Sequence, residues 1–395
     1  MKIGIYGGTF DPIHRGHITA AQAAAQQLGL DLLLLIPASI PPHKALPEGG
    51  ADAAQRLEMA TLATAELSCP AQVLDVEVRR QGKSYTADTL RTLRRQYPED
   101  ELWLLMGTDM FLSLQDWHEP QEILRLVRVA AFSRTGDPEQ QRFARQRAYL
   151  EKTFGAQVTV VENPHVVDIS STRLRQLLPE GREYLPEAVY GYILRQRLYG
   201  THAELKHLTP EELRPIALSF LKPKRMPHVL GTEQEAIRLA RRYGADETDA
   251  RIAALLHDCT KKLDMEQQLA LCRRYDIRLD GLEQHALKLL HAKTGAAVAR
   301  DIFGVKDAVY EAIRWHTTGK PDMTLLEKVI YLADYIEPNR DFPGVDELRR
   351  AVYDDLDKGL LMGLSDTIDE MERMGNPVHH DTLEARDFLL RGEAK

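Results

Sequence analysis

The chain of 395 residues carries 51 Lys and Arg against 59 Asp and Glu, a formal net charge of −8 at pH 7. The length predicts two or three domains, and the acidic balance argues against a general nucleic-acid binder, which would need a basic surface. The cysteines Cys69, Cys259 and Cys272 form no CxxC pair, so neither a disulfide framework nor a thiolate zinc site is indicated. We find no signal-peptide core and no bilayer-spanning apolar run, and therefore expect a cytoplasmic protein without a membrane partner.

Residues up to about 200 alternate apolar strands with amphipathic helices. Continuous apolar strands between such helices predict a parallel sheet covered on both faces. The expected fold is a doubly wound, Rossmann-like α/β domain, which binds ligands at the carboxyl ends of its strands. The predicted strands are 2–6, 32–36, 73–78, 102–106 and 127–132, and the predicted helices start at residue 17 and cover 53–67 and 87–96.

The segment 3–17 runs from the first strand through Gly7 and Gly8 to His14 and His17 at the start of an alanine-rich helix. Glycines let backbone N–H groups approach an anion, and the helix N-terminus adds partial positive charge. Two histidines three residues apart on one helical face can aim ring N–H groups at the same phosphate oxygens. A surface pair or half of a metal site are the alternatives, but no further ligand nearby completes a metal site. The segment therefore predicts a phosphate site.

Polar or aromatic residues follow later strands. Lys44 ends a proline-rich loop after the second strand, and Asp109 follows the strand 102–106. A surface loop and a helix-capping aspartate are the competing interpretations. Trp117 is an aromatic of the kind that stacks on a flat ring, although most tryptophans are core residues.

A second anion site is indicated at 169–175, which reads ISSTRLR. Ser and Thr cap a helix whose first N–H groups are free, and Arg173 and Arg175 follow. The alternative is an ordinary capped helix.

These motifs together resemble the nucleotidylyltransferase superfamily with its HxGH signature. GGTFDPIHRGH at 7–17 and the ISST segment resemble bacterial nicotinate mononucleotide adenylyltransferase, over about residues 1–200. The resemblance implies transfer of AMP from ATP, with Mg²⁺, to nicotinate mononucleotide, which gives deamido-NAD and pyrophosphate in NAD biosynthesis. It implies that the triphosphate and the departing pyrophosphate are held by His14, His17, Lys44 and Arg175.

The same resemblance implies a nicotinate pocket. Backbone N–H groups of Thr86 and His118 would meet the pyridine carboxylate while Trp117 stacks on the ring; some members have another aromatic residue where this chain has His118. The other implied substrate-binding residues are Gly7, Gly8, Thr9, Phe10, Asp109, Ser170, Ser171 and Thr172. Nicotinamide mononucleotide and phosphopantetheine stay open as alternative acceptors, although the contexts of Trp117 and Thr86 favour nicotinate.

Near residue 200 the pattern changes, and we find no convincing strand from there on. The sequence predicts a second, all-α domain over 206–395, without internal repeats. Its predicted helices are 210–221, 226–243, 246–257, 264–275, 283–290, 294–303, 305–316, 323–336, 345–362 and 364–372.

The pair His257-Asp258 ends an intensely apolar helix, where an unpaired ionisable pair would be costly to bury. A lone histidine on a helix is more often a core or surface residue, but coordination to a metal would satisfy both members of this pair. Further histidines and an aspartate lie at or near the ends of successive helices, in the order H…HD…H…H…D.

This order resembles the HD-domain metallophosphohydrolases. The contexts, over about 206–380, resemble the bacterial branch that cleaves diadenosine tetraphosphate symmetrically into two ADP. The resemblance implies two transition-metal ions, and mixed imidazole and carboxylate ligation suits iron or manganese. The implied ligands are His228, His257, Asp258, His291, His316 and Asp334.

Lys261 and Arg340 are plausible phosphate contacts or, alternatively, surface charges. Hydrolysis of another nucleotide phosphate ester, or nucleotide sensing without hydrolysis, stays open. The expected partners are small-molecule nucleotides, namely ATP, nicotinate mononucleotide and diadenosine tetraphosphate, and the sequence leaves open whether the chain forms a homo-oligomer.

Overall fold

The structure, a computed structural model, describes residues 1–40, 49–80, 83–133, 137–163 and 165–392. The chain divides into two compact units, Met1–His202 and Ala203–Lys395. None of the helices described has both the length and the apolar character needed to cross a bilayer.

The first unit is built on a six-stranded sheet. Its strands are β1 (Lys2–Gly8), β2 (Leu32–Pro37), β3 (Ala71–Val73), β4 (Glu101–Met106), β5 (Arg128–Ser133) and β6 (Val158–Glu162). Their order is β3-β2-β1-β4-β5-β6, and every neighbouring pair is parallel. This confirms the predicted doubly wound sheet. The winding reverses between β1 and β4, where folds of this type open a ligand crevice.

Helices accompany this sheet. They are α1 (Arg15–Leu28), α2 (Ala53–Ala63), α3 (Thr86–Gln96), α4 (Thr108–Leu112), α5 (Pro120–Leu126), α6 (Asp137–Phe154), α7 (Ser171–Leu177) and α8 (Glu187–Gln196). Residues 33–36 of β2 are almost completely buried, which matches their unbroken apolar sequence because helices cover both faces of a parallel sheet.

Two edge strands differ from prediction. The predicted strand 73–78 is wrong in its bounds: β3 ends at Val73, and the chain then turns, with the Arg79 N–H donating to the Asp75 carbonyl at 2.8 Å. The strand β6 was not predicted. Four of its five residues, VTVVE, are β-branched, which is a strand signal that the prediction did not use, and the strand pairs in parallel with β5.

The second unit contains only helices among its described residues, as predicted. They are α9 (Pro210–Leu218), α10 (Met226–Tyr243), α11 (Glu247–Leu256), α12 (Met265–Arg274), α13 (Leu287–Phe303), α14 (Asp307–Trp315), α15 (Leu325–Ile336), α16 (Val345–Asp354), α17 (Leu356–Arg373) and α18 (His380–Leu390).

Three helix predictions in this unit are corrected. One helix, α13, takes the place of the predicted helices 283–290 and 294–303. It starts at Leu287, after a turn at 283–285, and it continues through 291–293, where Gly295 packs near the His257 carbonyl instead of breaking the helix. The predicted helix 345–362 is interrupted at Asp355, whose extended backbone starts α17 and whose side chain caps it. Helix α18 was not predicted.

Candidate functional sites

Two cavities open at the carboxyl ends of β1 and β4. The smaller, of about 420 Å³, is lined by residues that include Gly7, Gly8 and Trp117. The larger, of about 600 Å³, is lined by residues that include His14 and Asp109. His17 and Gly107 line both cavities. The imidazole of His17 therefore stands where a ligand in one cavity would meet a ligand in the other.

The two histidines of the first motif form a fixed pair. His14 is the N-cap of α1, and its backbone N–H donates to Nδ1 of His17 at 3.2 Å. The ring centroids are 3.7 Å apart. Because Nδ1 of His17 accepts this hydrogen bond, the ring proton of neutral His17 lies on Nε2. The Nε2–H of His17 is therefore the ring donor that a ligand in either cavity could use.

Burial keeps both rings neutral near pH 7. It lowers the pKa of His14 to about 4, and burial followed by the neighbouring His14 lowers the pKa of His17 well below its usual value. Nδ1 of His14 is buried and finds no hydrogen-bond partner in the part of the chain that the structure describes. A phosphate at this position would offset the desolvation and favour the protonated rings, because an opposite charge raises the pKa of an imidazole.

Glycine is required at different positions of the motif for different physical reasons. A Cβ at Gly8 would lie 2.9 Å from the Phe10 ring, and one at Gly16 would lie 3.0 Å from His14 Nδ1 and 3.1 Å from the Val167 carbonyl. Both glycines are therefore needed by packing. A Cβ at Gly7 would meet no described atom within 4 Å. Gly7 instead leaves the end of β1 open to the smaller cavity.

A buried arginine that the sequence analysis missed holds these loops together. Arg56 is fully buried on α2, and its guanidinium donates to the carbonyls of Thr9 at 2.8 Å, Ala38 at 2.5 Å, Ser39 at 3.0 Å and Ala51 at 3.3 Å. It thereby joins the ends of β1 and β2. Its sequence context is a polar helix, and only its apolar neighbours 59–60 and 62–63 hint at burial.

Asp11 is a second residue that was missed. Its Oδ1 accepts the Tyr199 hydroxyl at 2.6 Å and the Ala51 N–H at 3.1 Å. Its carbonyl accepts Arg175 Nη1 at 2.5 Å, and its Oδ2 lies 3.7 Å from the same nitrogen. Arg175, predicted as a triphosphate contact, is thus held against the HxGH segment. Asp11 lies within the motif GGTFDPIHRGH at 7–17, whereas no sequence pattern pointed to Tyr199.

The aromatic end of the smaller cavity contains the predicted nicotinate residues. Thr86 is the first residue of α3 and lines this cavity, and the N-cap Tyr85 provides no side-chain cap for the N–H groups of the first turn. Trp117 and His118 line the same cavity, and the His118 ring packs on Tyr85 with centroids 4.4 Å apart.

The remaining predicted residues divide between the two cavities and the surface. Thr9 and Phe10 line the smaller cavity, and Asp109, Ser170 and Ser171 line the larger. Ser170 caps α7 by accepting the Arg173 N–H at 3.2 Å. Thr172 is exposed and lines neither cavity. Lys44 lies outside the described residues.

In the second unit, the six predicted metal ligands come together from five helices. His228 lies on α10, His291 on α13 and Asp334 on α15. His257 and His316 are the C-caps of α11 and α14, and Asp258 follows His257. All of these side chains are buried except that of Asp334, which is 16% exposed.

Asp258 lies between two groups of imidazoles. Its Oδ2 is 3.6 Å from His257 Nε2 and 4.0 Å from His228 Nε2. Its Oδ1 is 3.2 Å from His291 Nε2 and 4.0 Å from His316 Nε2. Asp334 Oδ1 joins the first group, at 2.9 Å from His228 Nε2. One carboxylate therefore faces two sets of nitrogen ligands with its two oxygens.

In three of the imidazoles, the ring nitrogen that faces away from the centre lies at hydrogen-bond distance from an acceptor. Nδ1 of His257 lies 2.6 Å from the Ala254 carbonyl, and Nδ1 of His316 lies 2.6 Å from the Ile313 carbonyl. Nδ1 of His228 lies 3.1 Å from Glu337 Oε1. These contacts place the ring protons on Nδ1 and leave each Nε2 lone pair directed at the centre, which is the arrangement that metal-binding histidines adopt.

Electrostatics favours neutral imidazoles and charged carboxylates. Burial lowers the pKa of His257, His291 and His316 to about 4. Burial alone would raise the pKa of Asp258, but His257 and His291 outweigh it, and the pKa lies well below the usual value. These are the protonation states that metal ligation requires.

The donor set fits metal ions. Two sets of three residues each have their ligand atoms within 4.8 Å of one another. One set is His228, His257 and Asp334, and the other is His257, Asp258 and His316. Oδ1 of Asp258 is buried and makes no hydrogen bond to any residue that the structure describes. A buried carboxylate oxygen without a partner is costly unless a cation satisfies it.

Cations surround this centre. Arg225, which the sequence analysis did not single out, donates from Nε to Asp258 Oδ2, and Arg340 Nη2 donates to Asp334 Oδ1 at 2.7 Å. Lys261 Nζ lies 2.9 Å from His291 Nε2. Lys261 and Arg340, predicted as phosphate contacts, thus border the ligand cluster.

Comparisons with known proteins divide the chain in the same way. A model of the cytidylyltransferase-like family matches residues 5–177, and a model of the HD domain matches residues 225–339.

Two curated relatives match one half each. A Gloeobacter violaceus protein named "Probable nicotinate-nucleotide adenylyltransferase" is 42% identical over 209 residues, which are 51% of this chain and 98% of that protein. A Halalkalibacterium halodurans protein named "Bis(5'-nucleosyl)-tetraphosphatase, symmetrical" is 42% identical over 183 residues, 44% of this chain and 95% of that protein. Among solved structures, a Clostridium acetobutylicum protein described as a predicted HD superfamily hydrolase involved in NAD metabolism matches 47% of this chain and 98% of its own, with 42% identity and a TM-score of 0.46.

Proposed function

The first unit belongs to the nicotinate-nucleotide adenylyltransferase family and the second to the HD-domain family, and on this premise we propose that the chain is a bifunctional enzyme. The first unit transfers AMP from ATP to nicotinate mononucleotide. The second hydrolyses diadenosine tetraphosphate to two ADP. ATP and diadenosine tetraphosphate are both phosphate esters of adenosine, so each site handles one such ester.

The observation that supports adenylyl transfer is the position of His17 between two cavities. The mononucleotide occupies the smaller cavity, with its pyridine ring against Trp117 and its carboxylate at the N–H groups of α3. ATP occupies the larger cavity, beside Asp109, Ser170 and Ser171. The α-phosphate then lies at His17, next to the phosphate of the mononucleotide.

The chemistry needs no activated nucleophile, because the mononucleotide phosphate is already anionic. It attacks the α-phosphorus of ATP in line, and pyrophosphate leaves. His17 donates from Nε2–H to the phosphate oxygens as charge develops. His14 lies beside it, and Arg175 is held against Asp11 of the same motif. Mg²⁺ bound with ATP supplies further charge neutralisation.

We expect His17→Ala to lower kcat for adenylyl transfer by roughly 100-fold or more while hydrolysis in the second unit persists. A variant with near-normal turnover would contradict the role given to His17. Comparing kcat/KM for nicotinate and nicotinamide mononucleotides tests the acceptor, because a site built for a carboxylate rejects the amide.

The observation that supports hydrolysis is the position of Asp258 between two imidazole groups. One iron or manganese ion would be held by His228, His257, Asp334 and Oδ2 of Asp258. A second ion would be held by His291, His316 and Oδ1 of Asp258. Two such ions supply a nucleophile at neutral pH and stabilise the phosphoryl group under attack. Lys261 and Arg340, which border the ligand cluster, would bind the phosphate chain.

The full chain, loaded with iron or manganese, should convert diadenosine tetraphosphate to ADP alone, as resolved by ion-exchange chromatography. ATP and AMP as products would overturn the symmetric point of attack. No turnover with metal bound would favour another phosphate ester or a sensing role. Asp258→Ala should lose metal and hydrolysis but keep adenylyl transfer, which is the reciprocal of the His17→Ala result.

A further inference from the structure

A second group of histidines and carboxylates lies in the C-terminal unit, apart from the six predicted ligands. Asp280 and Glu283 belong to the turn that precedes α13. His379 is the N-cap of α18, and His380 and Asp381 are its first residues. Neither proposed activity uses these side chains.

Each imidazole in this group lies between two carboxylates. Asp280 Oδ2 is 3.1 Å from His379 Nε2 and 3.5 Å from His380 Nδ1. The opposite ring nitrogens face Asp381, whose Oδ2 is 3.4 Å from His379 Nδ1 and whose Oδ1 is 3.2 Å from His380 Nε2. The two rings are stacked, with centroids 4.4 Å apart. Metal-binding histidines commonly have such a carboxylate behind them.

His379 carries an unsatisfied nitrogen in this cluster. The residue is 5% exposed, and its Nε2 is buried and has no hydrogen-bond partner among the described residues, although Asp280 and Glu283 are near. Three carboxylates surround the two rings and raise the pKa of His379, with Glu283 as the largest cause, and Lys293 Nζ lies 2.5 Å from Oε1 of Glu283. The surplus of negative charge and the unpartnered nitrogen both suit a divalent cation.

We propose that Asp280, His379 and His380 form a third cation site, which takes a borderline divalent ion such as Zn²⁺. Two imidazoles and a carboxylate, completed by water, are a ligand set that Zn²⁺ accepts. The ion is bound by Asp280 Oδ2, His379 Nε2 and His380 Nδ1. It ties the start of α18 to the turn before α13, the helix that carries His291.

Binding has a defined local cost. Nδ1 of His379 accepts the Asp381 backbone N–H at 3.2 Å. When Nε2 binds the ion, the ring proton moves to Nδ1, and the Asp381 carboxylate becomes its acceptor. One helix-capping hydrogen bond is thus exchanged for a charge-assisted one.

The test measures zinc per chain. The full chain and its variants are stripped with a chelator, equilibrated with excess ZnCl₂, desalted and analysed by inductively coupled plasma mass spectrometry. His380 is 60% exposed, so His380→Ala should leave the fold intact. The control is His285→Ala, because His285 is an exposed histidine in the same turn as Glu283 and lies outside the cluster.

We expect His380→Ala and Asp280→Asn to retain one zinc ion fewer per chain than the unmodified chain and His285→Ala. Asp258→Ala should lose zinc independently, since its ligands belong to the other centre. Equal zinc in the unmodified chain, His380→Ala and Asp280→Asn would overturn the site and leave the cluster as ion pairs alone. Loss of zinc from His285→Ala as well would also overturn it, because the effect would not be specific to the cluster.

Discussion

Replacing Gly231 by alanine should weaken the metal centre through Glu337, a residue that is not a proposed ligand. A Cβ at position 231 would lie 2.1 Å from Glu337 Oε2 and 2.9 Å from Asn339 Nδ2, well inside van der Waals contact. The carboxylate is not free to move. Its Oε2 accepts the Asn339 backbone N–H at 2.7 Å and Nδ2 at 2.9 Å, and its Oε1 lies 3.1 Å from His228 Nδ1. Alanine must therefore disturb either Asn339 or the orientation of His228.

The size of the effect follows from these contacts. Loss of an outer partner of a metal-binding histidine lowers metal affinity by roughly 10–100-fold, or about 1.4–2.8 kcal/mol. Overpacking a buried site lowers the free energy of unfolding by a further ~1–3 kcal/mol. The defect in hydrolysis should accordingly be largest at low metal concentration and shrink as the metal concentration rises.

The assay is hydrolysis as a function of metal concentration, together with calorimetric titration of the stripped protein with Mn²⁺. Gly281→Ala is the matched control, because a Cβ there meets nothing within 4 Å. Adenylyl transfer by the same sample reports whether the first unit is intact. Unchanged metal affinity in Gly231→Ala would refute the role given to Glu337, as would equal loss in the Gly281 control.

Three further predictions concern the first unit. Arg56→Met should lower its free energy of unfolding by ~3–5 kcal/mol, because buried carbonyls lose their donor and Asp11 loses a nearby cation, as measured by urea denaturation. Tyr199→Phe removes one buried hydrogen bond to Asp11 and should lower the free energy of unfolding by only ~1–2 kcal/mol in the same experiment. A loss as large as that in Arg56→Met would contradict the larger role given to Arg56. Burial lowers the pKa of His14 from 6.5 to about 4, so the unfolded chain binds this proton more tightly than the folded chain. The free energy of unfolding should therefore be highest above pH 6.5 and fall by up to ~3 kcal/mol as the pH drops to about 4. His14→Gln should flatten this dependence on pH.

Sequence patterns predicted the structure correctly where a feature depends on residues close together in the chain. The unbroken apolar run at 32–36 predicted a buried strand of a parallel sheet, and the structure confirms it. The bounds 226–243 predicted for α10 match because the helix begins near Pro227 and stops at Gly244, whose backbone is left-handed. The spacing of His14 and His17 likewise predicted two rings on one face, and their centroids are 3.7 Å apart. The roles proposed for these histidines await the experiments above.

Tertiary structure decided everything that joins distant segments. Arg56 resembles any arginine of a polar helix until the ends of β1 and β2 close around it. Asp258 was a candidate ligand from its sequence, but only the packing of α10, α11, α13 and α14 shows that its two oxygens face different imidazole pairs. Glu337 lies 109 residues from His228, and its contact depends on how α15 packs on α10. Local patterns record burial, caps and turns, whereas the partner of a buried polar group is chosen by which segments meet in the folded chain.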